Sequence, residues 1–119
     1  PHSIFKRSEE NLYYELPVSI ADAALGTTVE VPSIDGGKTK IKIPSGTQSG
    51  KQLRLKGKGM PILRRNINGD LYIRIITEVP TSLTKRQKEL LSEFKTLEDT
   101  KSNPLIKTFF DKAKKFWKN

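Results

Sequence analysis

Few residues in this chain belong to the types that carry out catalysis or bind metals. The 119 residues include a single histidine, His2, and no cysteine, so the segment can build neither a thiolate metal site nor a histidine cluster. A catalytic nucleophile needs a base that a third group holds in place, and one histidine beside the terminus does not supply this arrangement. The acidic residues Asp35, Asp70, Glu98 and Asp99 fall in turns and at helix ends, where carboxylates usually serve local hydrogen bonding. The sequence therefore predicts that this segment is not an enzyme and holds no metal.

Positive charge is concentrated in one part of the chain. The net charge is +9, and residues 36–69 contain nine lysines and arginines but no acidic residue. Elsewhere thirteen cations balance thirteen acids, so the whole excess belongs to this stretch. Two interpretations stay open, because such a segment either contacts an acidic partner or forms solvated strand faces on which lysine discourages aggregation. The candidate contact residues are Lys40, Lys42, Arg54 and Lys56.

Nucleic acid and phosphate groups are the less favoured ligands of this basic segment. Bases of a single strand need exposed aromatic side chains, and residues 36–69 contain none. Gly57 and Gly59 flank Lys58, but the full phosphate-loop pattern is missing and no helix follows. Contact with double-stranded nucleic acid through its phosphates remains an alternative, with a steep salt dependence as its signature.

Alternating apolar side chains predict a series of short strands. Such alternation occurs over 11–20, 28–31, 40–43, 52–56 and 71–79, with turn residues between the segments. Pro17 indicates an edge strand or a bend, and the short alanine-rich helix 21–25 ends at Gly26. The pattern predicts a mainly β domain over residues 1–80, a sandwich or small barrel of short antiparallel strands with one short helix.

Two helices are predicted for the remainder of the chain, residues 81–119. Thr84 and Gln87 have the spacing of a capping box, which indicates a helix from about Lys85 to Leu97. Asn103 and Pro104 favour the start of a second helix. On that helix the large apolar side chains fall within an arc of roughly 140°, and every charged side chain falls outside it.

Such a segregated helix needs a surface for its apolar face, because a helix of about fifteen residues is marginal alone in water. That surface could belong to an anionic membrane, to its own domain or to a second protomer, and composition does not choose among them. No apolar run approaches the ~20 residues of a membrane span and the start is polar, so the segment is expected to be soluble and cytoplasmic.

An ordered series of short motifs runs along the chain. The most distinctive runs are Ala21-Asp22-Ala23-Ala24-Leu25-Gly26 and Gly57-Lys58-Gly59-Met60-Pro61. Further runs cover 2–7, 11–13, 16–20, 29–32, 43–50, 53–56, 69–72 and 83–87. In this order the motifs resemble the second C-terminal β domain of the DnaJ family, and the tail 103–117 is similar to the bacterial-type terminus of that family. The stretch 65–68 departs from the pattern, because many relatives have a glycine-rich loop there.

This resemblance implies a co-chaperone that forms a homodimer through its C-terminal helices and delivers unfolded clients to a DnaK-type ATPase. The J domain, the cysteine-rich region that binds zinc in some members and the better-defined client groove all precede this segment in the family, so no cofactor is expected here. Neither membrane nor nucleic acid is an expected partner. The expected dimerisation residues are Leu105, Ile106, Phe109, Phe110, Phe116 and Trp117, with Leu90, Leu91 and Phe94 on the preceding helix.

Overall fold

The computed structural model describes residues 4–34, 36–62 and 67–118. The predictions that concern His2, Asp35 and residues 65 and 66 therefore lie outside the described residues. The chain forms two compact units, Pro1–Pro80 and Thr81–Asn119. The first unit contains β1 (Lys6–Ser8), β2 (Asn11–Ser19), α1 (Ile20–Leu25), β3 (Thr27–Pro32), β4 (Lys38–Ile43), β5 (Gln52–Leu55), β6 (Pro61–Ile62), β7 (Ile67–Asn68) and β8 (Leu71–Glu78). The second contains α2 (Lys85–Leu97) and α3 (Pro104–Lys118).

A four-stranded sheet in the order β1-β2-β8-β5 forms one layer of the first unit. Its two central strands, β2 and β8, run parallel, with Leu12 beside Leu71 and Ser19 beside Glu78. This pair corrects the prediction of antiparallel strands, which holds for the other described pairs. Alternation identifies a strand but not its direction, and a long connection between two strands allows the parallel arrangement that a tight turn forbids.

The predicted hairpin forms the second layer. Strands β3 and β4 pair antiparallel, with Val29 beside Ile41 and Val31 beside Thr39. Inward side chains from this hairpin and from the four-stranded sheet share one core, so the mainly β fold is confirmed. The buried core residues are Leu12, Tyr14, Val18, Ala23, Val31, Ile41, Ile43, Leu71, Ile73 and Ile75. Burial raises the pKa of the Tyr14 phenol to about 12.

Pro17 lies where the sheet can accept a proline. Strand β1 pairs only with Asn11–Tyr13, so the rest of β2 has β8 as its one described neighbour. A proline cannot donate a ladder hydrogen bond and therefore suits such an edge. The short helix α1 follows at once, with the Ser19 hydroxyl accepting the Asp22 N–H at 3.0 Å. Gly26 ends it with φ +83°, as the sequence predicted.

Three backbone segments meet closely at Gly59, within the second distinctive run. Gly59 N–H donates to the Gly69 carbonyl at 2.8 Å, and Met60 N–H donates to the Glu10 carbonyl at 2.7 Å. A Cβ atom at Gly59 would lie only 2.5 Å from the carbonyl oxygen of Asp70 and 2.7 Å from that of Glu10. Glycine is thus required here by space, and this part of the motif has a structural role.

Candidate functional site

The terminal helix α3 presents an exposed apolar face, as its sequence pattern predicted. None of its described residues is buried. Leu105, Phe116 and Trp117 are 75%, 78% and 70% exposed, and Phe109 is 63% exposed. Ile106 and Phe110 are about half exposed. All six predicted anchor side chains are therefore largely accessible in the single chain.

Local contacts within α3 leave its apolar face largely exposed. Lys107 and Asp111 form an ion pair of 2.6 Å outside the apolar arc, and this pairing lowers the pKa of the Asp111 carboxyl. The rings of Phe109 and Phe110 contact each other edge to face, with centroids 5.0 Å apart. Lys115 and Lys118 lie in the last turn, where positive charge interacts favourably with the helix dipole.

Helix α2 carries a smaller exposed apolar stripe. Leu90, Leu91 and Phe94 are 48%, 37% and 54% exposed, and none of its residues is buried. The predicted capping box is present, because the Thr84 hydroxyl accepts the Gln87 N–H at 3.1 Å while the Gln87 side chain accepts the Thr84 N–H at 2.9 Å. Either helix could thus supply a contact surface, and α3 exposes more large apolar side chains.

The connector between the two helices is an ordered turn. One carboxylate oxygen of Asp99 accepts the backbone N–H groups of Ser102 and Lys101, at 3.0 and 2.9 Å. These bonds lower the pKa of the Asp99 carboxyl. Asn103 donates its side-chain amide to Glu98 at 2.9 Å. The acidic residues of this segment therefore have the local role that the sequence indicated.

The basic candidate residues lie on two different surfaces of the first unit. Lys40 and Lys42 are exposed on the outer face of β4, with Glu30 the cross-strand neighbour of Lys40. Arg54 is exposed on β5 of the four-stranded sheet, and Lys56 follows that strand. Because both sheets turn their inner faces to one core, their outer faces point away from each other. The four residues therefore do not form one patch.

Arg54 is engaged within the fold. Its Nε donates to Asp70 Oδ2 at 2.6 Å, while Asp70 Oδ1 accepts the Gly57 N–H at 3.0 Å. The hydrogen bond from Gly57, followed by that from Arg54, holds the pKa of the Asp70 carboxyl below its usual range. The Asp70 N–H in turn donates to the Asn11 side chain at 2.8 Å. Asp70 therefore links β5, the glycine turn and the start of β8.

Sequence reasoning missed an aromatic pair on the outer face of the four-stranded sheet. Tyr13 of β2 and Tyr72 of β8 are register partners, and their rings stack with centroids 5.0 Å apart and planes inclined by 11°. The two tyrosines are 59 positions apart in sequence, and neither lies in the basic stretch. Alternation could have placed each on an outer face, but only the parallel pairing brings them together.

In the part of the chain that the structure describes, no group of three or more histidine, cysteine or acidic side chains is placed to hold a metal ion. In the same residues, no helix has the length and apolar character needed to cross a bilayer.

Family models match both units of the chain. The model described as DnaJ C terminal domain matches residues 1–80. The chain belongs to the DnaJ family. A second model, described as Chaperone protein DnaJ C-terminal region, matches residues 86–119. The resemblance inferred from the sequence motifs is thereby confirmed.

Individual DnaJ relatives match almost the whole chain. A protein named Chaperone protein DnaJ from Pelagibacter ubique is 68% identical over 118 residues, which cover 99% of this chain and 31% of the relative. Proteins of the same name from Azorhizobium caulinodans and Roseobacter denitrificans are 55% and 52% identical, over 98% of this chain and 31% and 30% of their own lengths. The chain thus spans about a third of the length of these DnaJ relatives.

Proposed function

We propose that this chain is the C-terminal part of a DnaJ-type co-chaperone and that it holds two copies of the protein together in the cytoplasm. In this proposal residues 1–80 are the second C-terminal β-sandwich domain and residues 81–119 are the dimerisation segment. The observation that carries the proposal is the exposed apolar face of α3. None of the described residues of this helix is buried.

The size of this face supports a stable contact. Added together, the exposed fractions of the six anchor side chains amount to about four whole side chains. Fully burying one such side chain contributes about 1.5–3 kcal/mol, so covering the face contributes roughly 6–12 kcal/mol per protomer. A two-fold interface uses the same face twice, so the contribution of burial doubles to roughly 12–24 kcal/mol. Association costs about 4–15 kcal/mol, and burial of the two faces therefore outweighs this cost over most of its range.

Dimerisation would serve the chaperone by raising effective concentration. If each protomer carries a weak site for unfolded polypeptide, a client with two apolar stretches binds the second site as an intramolecular step. The client is then retained longer without any stronger individual contact. Retention of this kind gives a DnaK-type ATPase, the proposed recipient, more time to take over the client.

Deletion of residues 103–119 tests the dimer. We expect the intact chain to have the mass of a dimer in light scattering and the shortened chain that of a monomer. The β unit serves as the internal control, because its thermal unfolding should be retained in the shortened chain. If the shortened chain keeps the dimer mass, the contact belongs to α2 or to another surface instead.

The basic outer face of the hairpin is proposed as a contact for acidic segments of the DnaK-type partner or of clients. The charge of β4 supports this proposal, since Lys38, Lys40 and Lys42 alternate along its outer face with Glu30 as the acidic neighbour. Because Arg54 holds Asp70 in place, reversing its charge would disturb the fold as well as the surface. The hairpin must therefore be tested separately.

Two matched variants separate the surfaces. Lys40→Glu with Lys42→Glu should weaken binding of an acidic peptide and flatten its salt dependence. Lys88→Glu with Lys95→Glu, two exposed lysines of α2, serves as the charge-matched control. Equal binding by the hairpin variant and the unchanged chain would show that these lysines form a solvent-exposed strand face and do not contact the acidic partner.

A further inference from the structure

The outer face of the four-stranded sheet carries an aromatic pair at its centre. Tyr13 and Tyr72 occupy the two central strands, are half-buried and stack on each other. Each ring keeps one face that is turned away from the other ring. A π-face of this kind accepts any nucleobase, and stacking on it is tolerant of sequence.

Cationic side chains flank the pair on both sides. Lys6 of β1 is the register partner of Tyr13, and Arg54 of β5 is the register partner of Tyr72. Arg74 follows two residues after Tyr72 on the same face of β8, opposite Glu15 of β2. Three cations thus lie on this face, with Glu15 and Asp70 as acidic neighbours. Their order across the sheet is lysine, tyrosine, tyrosine, arginine.

Arg54 is held in a position suited to contact a phosphate. Its bond to Asp70 uses Nε, and the guanidinium carries further N–H donors on its two terminal nitrogens. The Arg54 side chain is 59% exposed. Asp70 therefore orients the group beside Tyr72 without covering it.

From this geometry we propose that the outer face of the sheet binds single-stranded nucleic acid. Bases stack on Tyr13 and Tyr72, and Lys6, Arg54 and Arg74 contact the phosphates. An open cavity of about 490 Å³ lies on this face, with Lys6, Tyr13, Tyr72 and Arg74 among its lining residues. Neighbouring strands are about 4.8 Å apart, so the four side chains from Lys6 to Arg54 span roughly 14 Å, the length of two or three nucleotides.

The observations favour nucleic acid over an extended polypeptide. A polypeptide that adds to a sheet pairs with a free strand edge, whereas Tyr13 and Tyr72 lie on strands that have a neighbour on both sides at these positions. The face combines two aromatic rings with three cations. Aromatic side chains on the central strands of a four-stranded sheet also serve other proteins as a platform for two or three bases.

Fluorescence anisotropy with a labelled 12-nucleotide oligouridylate tests this proposal on the 119-residue chain. Tyr13→Ala and Tyr72→Ala should each weaken binding about tenfold, while Tyr13→Phe and Tyr72→Phe should bind within twofold of the unchanged chain. Three phosphate contacts predict a slope of about −2 for the logarithm of the association constant against that of salt concentration, and Arg74→Gln should reduce it by about 0.7. A duplex of equal length should bind more weakly.

Two controls keep the result specific to this face. Lys88→Gln with Lys95→Gln removes similar charge from α2 and should leave oligouridylate binding unchanged. Thermal unfolding of every variant distinguishes the loss of a nucleic-acid contact from the loss of the fold, and the phenylalanine variants preserve packing. The proposal is overturned if oligouridylate does not bind, if the α2 variant loses binding as the alanine variants do, or if only an unfolded polypeptide binds and the tyrosine variants weaken it.

Discussion

Phe109 lies near the middle of the apolar arc of α3, and its replacement by alanine tests the proposed dimer at one side chain. The ring is 63% exposed in the single chain. Full burial of a phenylalanine contributes up to about 3 kcal/mol, so covering the exposed part contributes about 1.5–2 kcal/mol. Two protomers each lose this amount in a two-fold interface. The dimer should therefore be destabilised by about 3–4 kcal/mol.

This free energy corresponds to a dissociation constant raised by two to three orders of magnitude, since each 1.4 kcal/mol is about tenfold. Sedimentation equilibrium over a range of protein concentrations measures it directly. Alanine is the best helix former, so the substitution should not unfold α3 itself. Circular dichroism should accordingly show an unchanged helix content.

Lys115→Ala is the matched control, because this side chain lies on the same helix outside the apolar arc. We expect its dissociation constant to stay within a few-fold of that of the unchanged chain. The reasoning is refuted if Phe109→Ala dimerises as tightly as Lys115→Ala. A loss seen instead in Leu90→Ala or Phe94→Ala would move the interface to α2.

Three further predictions concern the stability of the two units. Gly59→Ala should lower the free energy of unfolding by about 3 kcal/mol in urea denaturation, because the added Cβ meets backbone atoms that cannot move aside; a loss below 1 kcal/mol would contradict this. Asp70 has a folded pKa below its unfolded value of about 3.9, so its stabilising contribution is present above that pH and is lost as the pH falls through the folded value. Thermal unfolding between pH 6 and 2 should show this loss, and Asp70→Asn should show a smaller one. Thr84→Ala removes the cap of α2 and should reduce helix content, at a cost of about 1 kcal/mol; unchanged circular dichroism would contradict this.

Much of the fold could be predicted because each element carries a local signal. Alternation located β3, β4, β5 and β8, and the capping box marked the first residue of α2, Lys85. The direction of β2 relative to β8 could not be predicted in this way. Parallel pairing depends on a connection that crosses most of the β unit, and no local pattern records it.

The candidate site likewise contains features that a local sequence pattern predicts and features that only the folded chain brings together. The apolar face of α3 follows from helical periodicity alone. Its exposure in the single chain does not, and the structure supplies it by placing each of the six predicted side chains at the surface. The basic residues were grouped by their closeness in sequence, but Lys40 and Arg54 lie on different sheets. The tyrosine pair was missed for the converse reason, because its members are close only in the folded chain.

The parallel pairing of β2 with β8 also sets an order of folding. Each residue of β2 from Leu12 to Ser19 meets a partner 59 positions later in the chain, so the central ladder has a high contact order. During synthesis the edge of β2 that pairs with β8 stays unpaired until β8, the last strand of the unit, has been made. A chain that folds as it is synthesised therefore completes its β unit before its apolar terminal helix is available to a second copy.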